Sequence, residues 1–304
     1  MHHYQAYSLN ISSEIEFPEF LTSPNADADV KIIIGATPDQ LQSIDVVKKV
    51  RYQVARDEAL YNLKGAGKIY ITNGNLITVE PEKTPDWEHL KNHIRGRALA
   101  AALHQRKWPI LHGSAICSND KAVIFIGQSG AGKSTFLGSF IKKGYDFITD
   151  DLCLIKASND NAPHISPGYP QIRLWQSSID LIQSKEHLKK ERLVRTGLDK
   201  YFMTPKTEFV NRSVNISHIY ILSATQESEV KIYAPPNFLK LNALLRYSFA
   251  KGHLEGLGGH AEQFGIFSRL LQHTTIKAIE RPLNMSSESF WEMINEVEVD
   301  FTMN

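Results

Sequence analysis

The chain has 304 residues, 42% of them hydrophobic, which is enough to bury a sizeable core as one large domain or two modest ones. Its 34 Lys and Arg stand against 33 Asp and Glu, a formal net charge of +1; this excludes the bulk electrostatics of a general nucleic-acid coat or a polybasic membrane binder, so neither partner is expected. The two cysteines, Cys117 and Cys153, form no C-x-x-C pair and exclude a disulfide-dense scaffold.

The first residues, MHHYQAYSLN, lack the apolar core of a secretory signal, and no apolar run reaches membrane-span length, so the expected location is the cytoplasm. Residues 1–83 read as a mostly β N-terminal lobe. Residues 30–35, 68–72 and 75–79 are β-branched runs of strand length, and Asn73-Gly74 between the last two is a hairpin signal, so the lobe is expected to be antiparallel. Residues 23–29 (SPNADAD) form the best early loop. A second domain, 84–304, is expected to open with a helix capped by Thr84, with Pro85 in its first turn. Trp87, Leu90, Ile94, Ala98, Ala101 and Ala102 share one face of it, and Gln105-Arg106-Lys107 closes it ahead of Pro109.

Two strands follow, 110–117 and 121–127, around the turn Ser118-Asn119-Asp120. Then come a glycine-rich loop, a helix from Lys133 to about Lys143 closed by Gly144, and a strand over 145–156. Strand, loop, helix, strand argues for an α/β nucleotide-binding core. Downstream, 163–175 is turn-rich and 184–195 reads as a charged helix or its flank. Strands are expected over 219–222, 230–233 and 275–280, an amphipathic helix over 262–272 and a terminal helix over 287–297. Residues 252–259 (GHLEGLGG) read as a flexible loop, with His260 beside it as a structural residue.

One motif dominates. Gly127-Gln128-Ser129-Gly130-Ala131-Gly132-Lys133-Ser134 fits G-x-x-x-x-G-K-[ST], follows the apolar strand AVIFIG and opens the helix STFLGSFIKK. Glycines let backbone N–H groups turn inward around phosphate oxygens, and the helix N-terminus adds positive potential. Ser129, Gly130, Ala131, Gly132, Lys133, Ser134 and Thr135 are therefore the expected ATP-binding residues. Lys133 would reach the β- and γ-phosphates, and the Ser134 hydroxyl would ligate Mg²⁺. Asp150-Asp151 lies on the following strand. Neighbouring strand residues point to opposite sides, so one carboxylate could hold Mg²⁺ while the other faces an acceptor hydroxyl; an acidic turn is the plainer alternative. His112 starts the hairpin that feeds the loop, which brings it close to Gly127, although a lone histidine is as often structural.

Together LHGSAI, GQSGAGKST and YDFITDD resemble the core of HPr kinase/phosphorylase, which shares its fold with the ATP-dependent phosphoenolpyruvate carboxykinases. The order His, P-loop, paired Asp matches, with Lys133 and Asp150 separated by 17 positions. The resemblance implies an α/β carboxykinase/HPr-kinase-like P-loop core behind the β lobe. By the same resemblance Asp150 would be the catalytic base, Asp151 the metal ligand beside Ser134, and His112 the neighbour of the catalytic carboxylate, with Lys133 on the phosphates. A broader likeness, through SEIEFPEF, HQRKWPILHGSA, PGYPQIRLW and GLDKYF, is to the HPr-kinase-like proteins of bacterial biosynthetic clusters, including lasso-peptide clusters, which phosphorylate the C-terminal serine of a precursor peptide. PGYPQIRLW stands where HPr kinase carries its glycine-rich second signature. HPr kinases are hexamers, which leaves a homo-oligomer open here.

The expected activity is thus a kinase moving the γ-phosphoryl of ATP to a serine of a peptide or small protein, with Mg²⁺. A carboxykinase-like small-molecule enzyme and a nucleotide-binding regulatory module remain as alternatives. Arg173 and Lys200 are weaker candidates for phosphate contact, each matched by a surface role. The run 185–195 carries both signs, reads first as a solvated face and could meet an acidic peptide.

Overall fold

The computed structural model describes residues 1–24, 27–157, 162–183, 185–195 and 197–303. The chain is α/β with two large sheets, and it divides into two compact units, one of residues 1–110 and 248–264, the other of 111–247 and 265–304.

The first unit begins with nine strands: β1 (His2–Ala6), β2 (Leu9–Ser13), β3 (Leu21–Thr22), β4 (Val30–Ile34), β5 (Val47–Lys49), β6 (Tyr52–Ala55), β7 (Glu58–Leu63), β8 (Gly67–Thr72) and β9 (Leu76–Pro81). They form one sheet in the order β3-β1-β2-β4-β9-β8-β7-β6-β5. Most pairings are antiparallel, but β4 runs parallel to both β2 and β9. The expected all-antiparallel lobe is corrected here. The long connections on either side of β4 let the chain return in the same direction, which a two-residue turn cannot do. Asn73-Gly74 does make the β8–β9 turn: both residues have positive φ, and the Asn75 N–H donates to the Thr72 carbonyl. Of the loop over 23–29, Asn25 and Ala26 lie outside the described residues.

The helix after β9 starts later than the sequence suggests. α1 (Trp87–His93) is capped by Asp86, whose carboxylate accepts the His89 N–H, and not by Thr84. A π-helical stretch (Ile94–Ala98) joins it to α2 (Leu99–Gln105). Leu90, Ile94, Ala98, Ala101 and Ala102 are buried as the spacing required, whereas Trp87 is about a third exposed, at 38%. Gln105 accepts the Gly74 N–H and Arg106 donates to the Gly74 carbonyl, which pins these helices to the β8–β9 turn. The compact unit therefore extends beyond residue 83, where the sequence suggests a domain boundary.

The second unit holds β10 (Ile110–Ser118), β11 (Lys121–Gly127), α3 (Lys133–Lys142), β12 (Asp146–Ala157), β13 (Pro163–Ser166), β14 (Ile172–Trp175), α4 (Gln176–Ile182), β15 (Leu188–Leu193), β16 (Lys200–Pro205), β17 (Val214–Thr225), β18 (Lys231–Tyr233) and α5 (Asn237–Arg246). The chain passes through α6 (Lys251–Leu257), in the first unit, and α7 (His260–His273), and ends with β19 (Thr275–Pro282) and α8 (Ser287–Met303). Two expectations change. Residues 188–193 form a strand and not a charged helix, because β16 offers a pairing partner that outweighs helix propensity in a short polar segment. Residues 252–257 belong to a helix, α6, whose His253 and Leu254 are buried, and not to a flexible loop.

β17 lies between β11 and β19 and runs parallel to both, while β10 folds back antiparallel on β11. Alternation along β11 sends Val123 and Phe125 to one face and Ala122, Ile124 and Ile126 to the other. The first face packs Phe136 and Phe140 of α3 with Phe290, Ile294 and Val297 of α8. The second packs Leu244 of α5 with Phe267 and Leu270 of α7. A parallel core needs this cover on both faces. A small separate sheet has the order β14-β16-β15.

Candidate active site

β11 and β19 flank β17 and run parallel to it, so Gly127 and Arg281 reach the carboxyl edge of one sheet, the edge at which α/β proteins bind ligands. Gly130 has φ +86° with open space where a side chain would stand, and Gly132 has φ +104° and serves as N-cap of α3. Both conformations favour glycine. No side chain caps the first turn of α3, so its amides and the positive end of the helix face the cleft. This strand–loop–helix geometry fits an anion of phosphate size.

Lys133 is buried, and its ammonium donates to the carbonyls of Gly127 (3.0 Å) and Gln128 (3.1 Å). Burial pulls its pKa below the ordinary lysine range, against the pull of Asp150 and Asp151. The Ser134 hydroxyl donates to Asp150 Oδ1 at 3.0 Å, and the Ser114 hydroxyl donates to the same oxygen at 2.7 Å. Asp150 Oδ2 accepts the Arg173 N–H at 3.0 Å.

Asp151 has φ +77°. This left-handed residue interrupts the alternation of β12. The two carboxylates, expected on opposite faces, both line the same cleft. Asp151 pairs with the Arg173 guanidinium and lies 3.5 Å from His112 Nε2. Burial pushes the Asp151 carboxyl up, but the charges of Arg173, His112 and Lys200 and the hydrogen bond from Arg173 outweigh it and hold it at about 2. His112 moves the other way: burial lowers it from the ordinary histidine value, with the charge of Asp151 opposing. Its backbone N–H donates to the Tyr247 carbonyl.

The cleft has a volume of about 340 Å³, within the usual range for small-molecule sites. It brings together His112, Ser129, Gly130, Gly132, Lys133, Ser134, Thr135, Asp150 and Asp151. Ala131 is not among the lining residues. Its methyl packs into the core, its N–H donates to Gln128, and its carbonyl accepts from Arg281. Thr135 shares a hydrogen bond with Ser178 of α4 at 2.8 Å. Lys200 lines the cleft and Arg173 holds its two carboxylates, whereas His260 is exposed at the start of α7 and does not line the cleft.

Two residues escaped the sequence reading. Ser114 sits two positions after His112 on β10, so period-two alternation puts both on one face, a usable signal. Arg281 lies beside Gly132, its guanidinium 3.3 Å from the Ala131 carbonyl; nothing local marks it, because only the pairing of β19 with β17 brings it there. Among the described residues, no group of three or more His, Cys, Asp or Glu side chains is poised around one point to hold a metal. Ser134 and Asp150 are a two-oxygen set of the kind that suits a hard cation carrying water and phosphate ligands.

No family model matches the chain, and no curated protein matches it. Among solved structures, the HPr(Ser) kinase/phosphatase from Coxiella burnetii aligns with 10% identity and a TM-score of 0.32, covering 64% of this chain and 91% of that one. A likeness that weak decides neither fold nor activity. No helix among the described residues is long and apolar enough to cross a membrane.

Proposed function

We propose that the chain is an ATP-dependent kinase that moves the γ-phosphoryl group to a serine hydroxyl of a peptide or small protein. The observation that carries this reading is the convergence, in one cleft, of an uncapped helix N-terminus behind a glycine loop, a buried lysine and two carboxylates in different settings. An anion site alone would serve a binding module; the second carboxylate, held against His112, adds a group that can take a proton. The sequence resemblance adds the C-terminal serine of a lasso-peptide precursor as the acceptor to try first.

The loop amides and Lys133 would hold the phosphates, and Arg281 would add a cation beside Gly132. Mg²⁺, which accompanies ATP, neutralises charge on the β- and γ-phosphates, and Ser134 and Asp150 are the residues that would hold it. This exchanges the roles implied by the resemblance, because the Ser134 hydroxyl touches Asp150 and not Asp151. Asp151 would then orient His112, and the pair would receive the serine proton. A carboxylate near 2 is a weak base alone, but the transition state of phosphoryl transfer is loose, so the pair contributes orientation more than basicity.

A second reading has one observation behind it. Lys133, Lys200 and Arg281 line the same cleft, and Arg173 backs its two carboxylates, a concentration of cations that would also suit a small acidic acceptor. Incubation with γ-labelled ATP and Mg²⁺ separates the readings: label on a serine peptide supports the first, label on a small dicarboxylic or hydroxy acid the second. In either case Lys133→Ala should bind Mg·ATP at least tenfold more weakly, and equal turnover by that variant would remove the phosphate site from consideration.

A further inference from the structure

We propose that the outer edge of the β14–β16–β15 sheet is the docking surface for an acidic acceptor peptide. The proposal rests on the kinase reading above and adds the chemistry of its acceptor. The sheet grows out of the cleft. β14 carries Arg173, whose N–H and guanidinium hold Asp150 and Asp151, and it ends at Trp175, opposite Lys200, the cleft residue that begins β16. β15 is the third strand; it closes on the same end, where the Val194 N–H donates to the Lys200 carbonyl. Strands in a sheet lie about 4.8 Å apart, so a chain added to the β15 edge would pass about 10 Å from β16. One bend would carry it into the cleft.

Three features mark this edge as a surface to be covered. Five successive residues of β15, Lys189 to Leu193, are exposed, so neither face of the strand is packed in the way a solvated sheet normally packs one of them. Leu193 and Leu198 are among the exposed large apolar side chains. The charge is also lopsided. Between 185 and 206 seven Lys and Arg stand against three Asp and Glu, in a chain with a net charge of only +1. Lys190 lies over the Tyr201 ring and Arg192 over the Phe202 ring, which spreads cationic heads across the sheet. Lysines on an edge strand also discourage unwanted pairing. A few would do that, without gathering beside the cleft. An extended segment with Glu or Asp flanking its serine could take main-chain hydrogen bonds from the strand edge and ion pairs from these side chains.

The test is fluorescence anisotropy on the full chain with three labelled serine peptides that are identical except that their flanking residues are Glu, Gln or Lys. Acidic flanks should bind roughly tenfold or more tighter than neutral ones at low salt, with the advantage shrinking as salt screens it. Lys189→Glu/Arg195→Glu, both exposed and outside the cleft, should abolish that advantage. Lys48→Glu/Lys49→Glu, on β5, changes net charge equally and should retain it. Equal binding of the Glu and Gln peptides, or equal loss in both variants, overturns the proposal. So does a single-stranded oligonucleotide that binds more tightly than the Glu peptide and is lost with the β15 variant. Mg·ATP affinity, measured on the same preparations, reads the kinase proposal separately: a chain that takes the acidic peptide but not Mg·ATP keeps the docking edge and loses the kinase.

Discussion

Replacing each aspartate by asparagine distinguishes two jobs that the sequence alone could assign either way. In Asp150→Asn the fold has a ready answer. The amide oxygen can accept the Arg173 N–H, and the new NH₂ can donate to Ser114 and Ser134, whose hydroxyls rotate to accept. Only charge assistance is lost within the protein, about 1 kcal/mol of stability. Against Mg·ATP the loss is a charged contact, worth about 1.5–3 kcal/mol or roughly ten- to hundredfold in affinity. Asp151→Asn gives the converse. Asparagine tolerates φ +77°, and the pair with Arg173 that is broken is only partly solvated, so folding should suffer by about 1–3 kcal/mol. Mg·ATP should bind nearly as before, while transfer falls roughly a hundredfold or more, the usual contribution of a proton-accepting group. Calorimetry with Mg·ATP beside single-turnover phosphorylation of a serine peptide measures both effects. Loss of nucleotide in Asp151→Asn with nucleotide retained in Asp150→Asn would refute the exchange of roles and restore the arrangement implied by the resemblance. Normal turnover in both would refute the site.

Arg281→Gln should weaken Mg·ATP binding about tenfold with little change in melting temperature, because the guanidinium's protein contacts are long ones to the Ala131 carbonyl and one to the adjacent Pro282 carbonyl; titration calorimetry with a thermal melt checks it. His104 and His253 are each held at about 4 by burial, so the unfolded chain binds more protons than the folded one below 6.5. Stability should be full above 6.5 and fall as pH drops toward 4, by up to about 3 kcal/mol per histidine, read from urea melts at pH 7, 5 and 4. Phe125→Ala removes a fully buried ring packed against Phe136, Phe140 and Tyr220 and should cost about 3–5 kcal/mol in denaturant melts.

The parts of the site that were legible in the sequence are those fixed by local rules. The run 127–134 announces its own turn because only glycines suit the loop, and the strand and helix around it follow from apolar spacing within 20 residues. Elements set by distant partners were less legible. Residues 188–193 are as highly charged as a solvated helix, but β16 claims them. The helix α6 carries two glycines; one of them, Gly256, lies so close to Val54 that a side chain there would meet the Val54 carbonyl at 2.5 Å, so the residue that looks like a loop signal is a packing requirement. Thr84 and Asp86 are both good caps, and the choice between them depends on where the preceding strand releases the chain. Arg281 reaches the cleft, and Arg173 its two carboxylates, through strand pairings that no short window of sequence contains.

The left-handed turn of the backbone at Asp151 also limits what could ever stand there. For most L-residues that conformation costs about 1–2 kcal/mol, and only Gly, Asn and Asp adopt it routinely. Of those three, Asp alone carries a charge. A redesign that wanted a longer acid at this point could not simply lengthen the side chain, since glutamate would bring the strain back. The easiest drift, to Gly or Asn, would keep the fold comfortable and, with the role proposed for Asp151, silence the cleft. Position 151 is therefore a place where a natural variant can lose its chemistry without losing its structure, so an intact fold in a relative of this chain is no assurance of an active one.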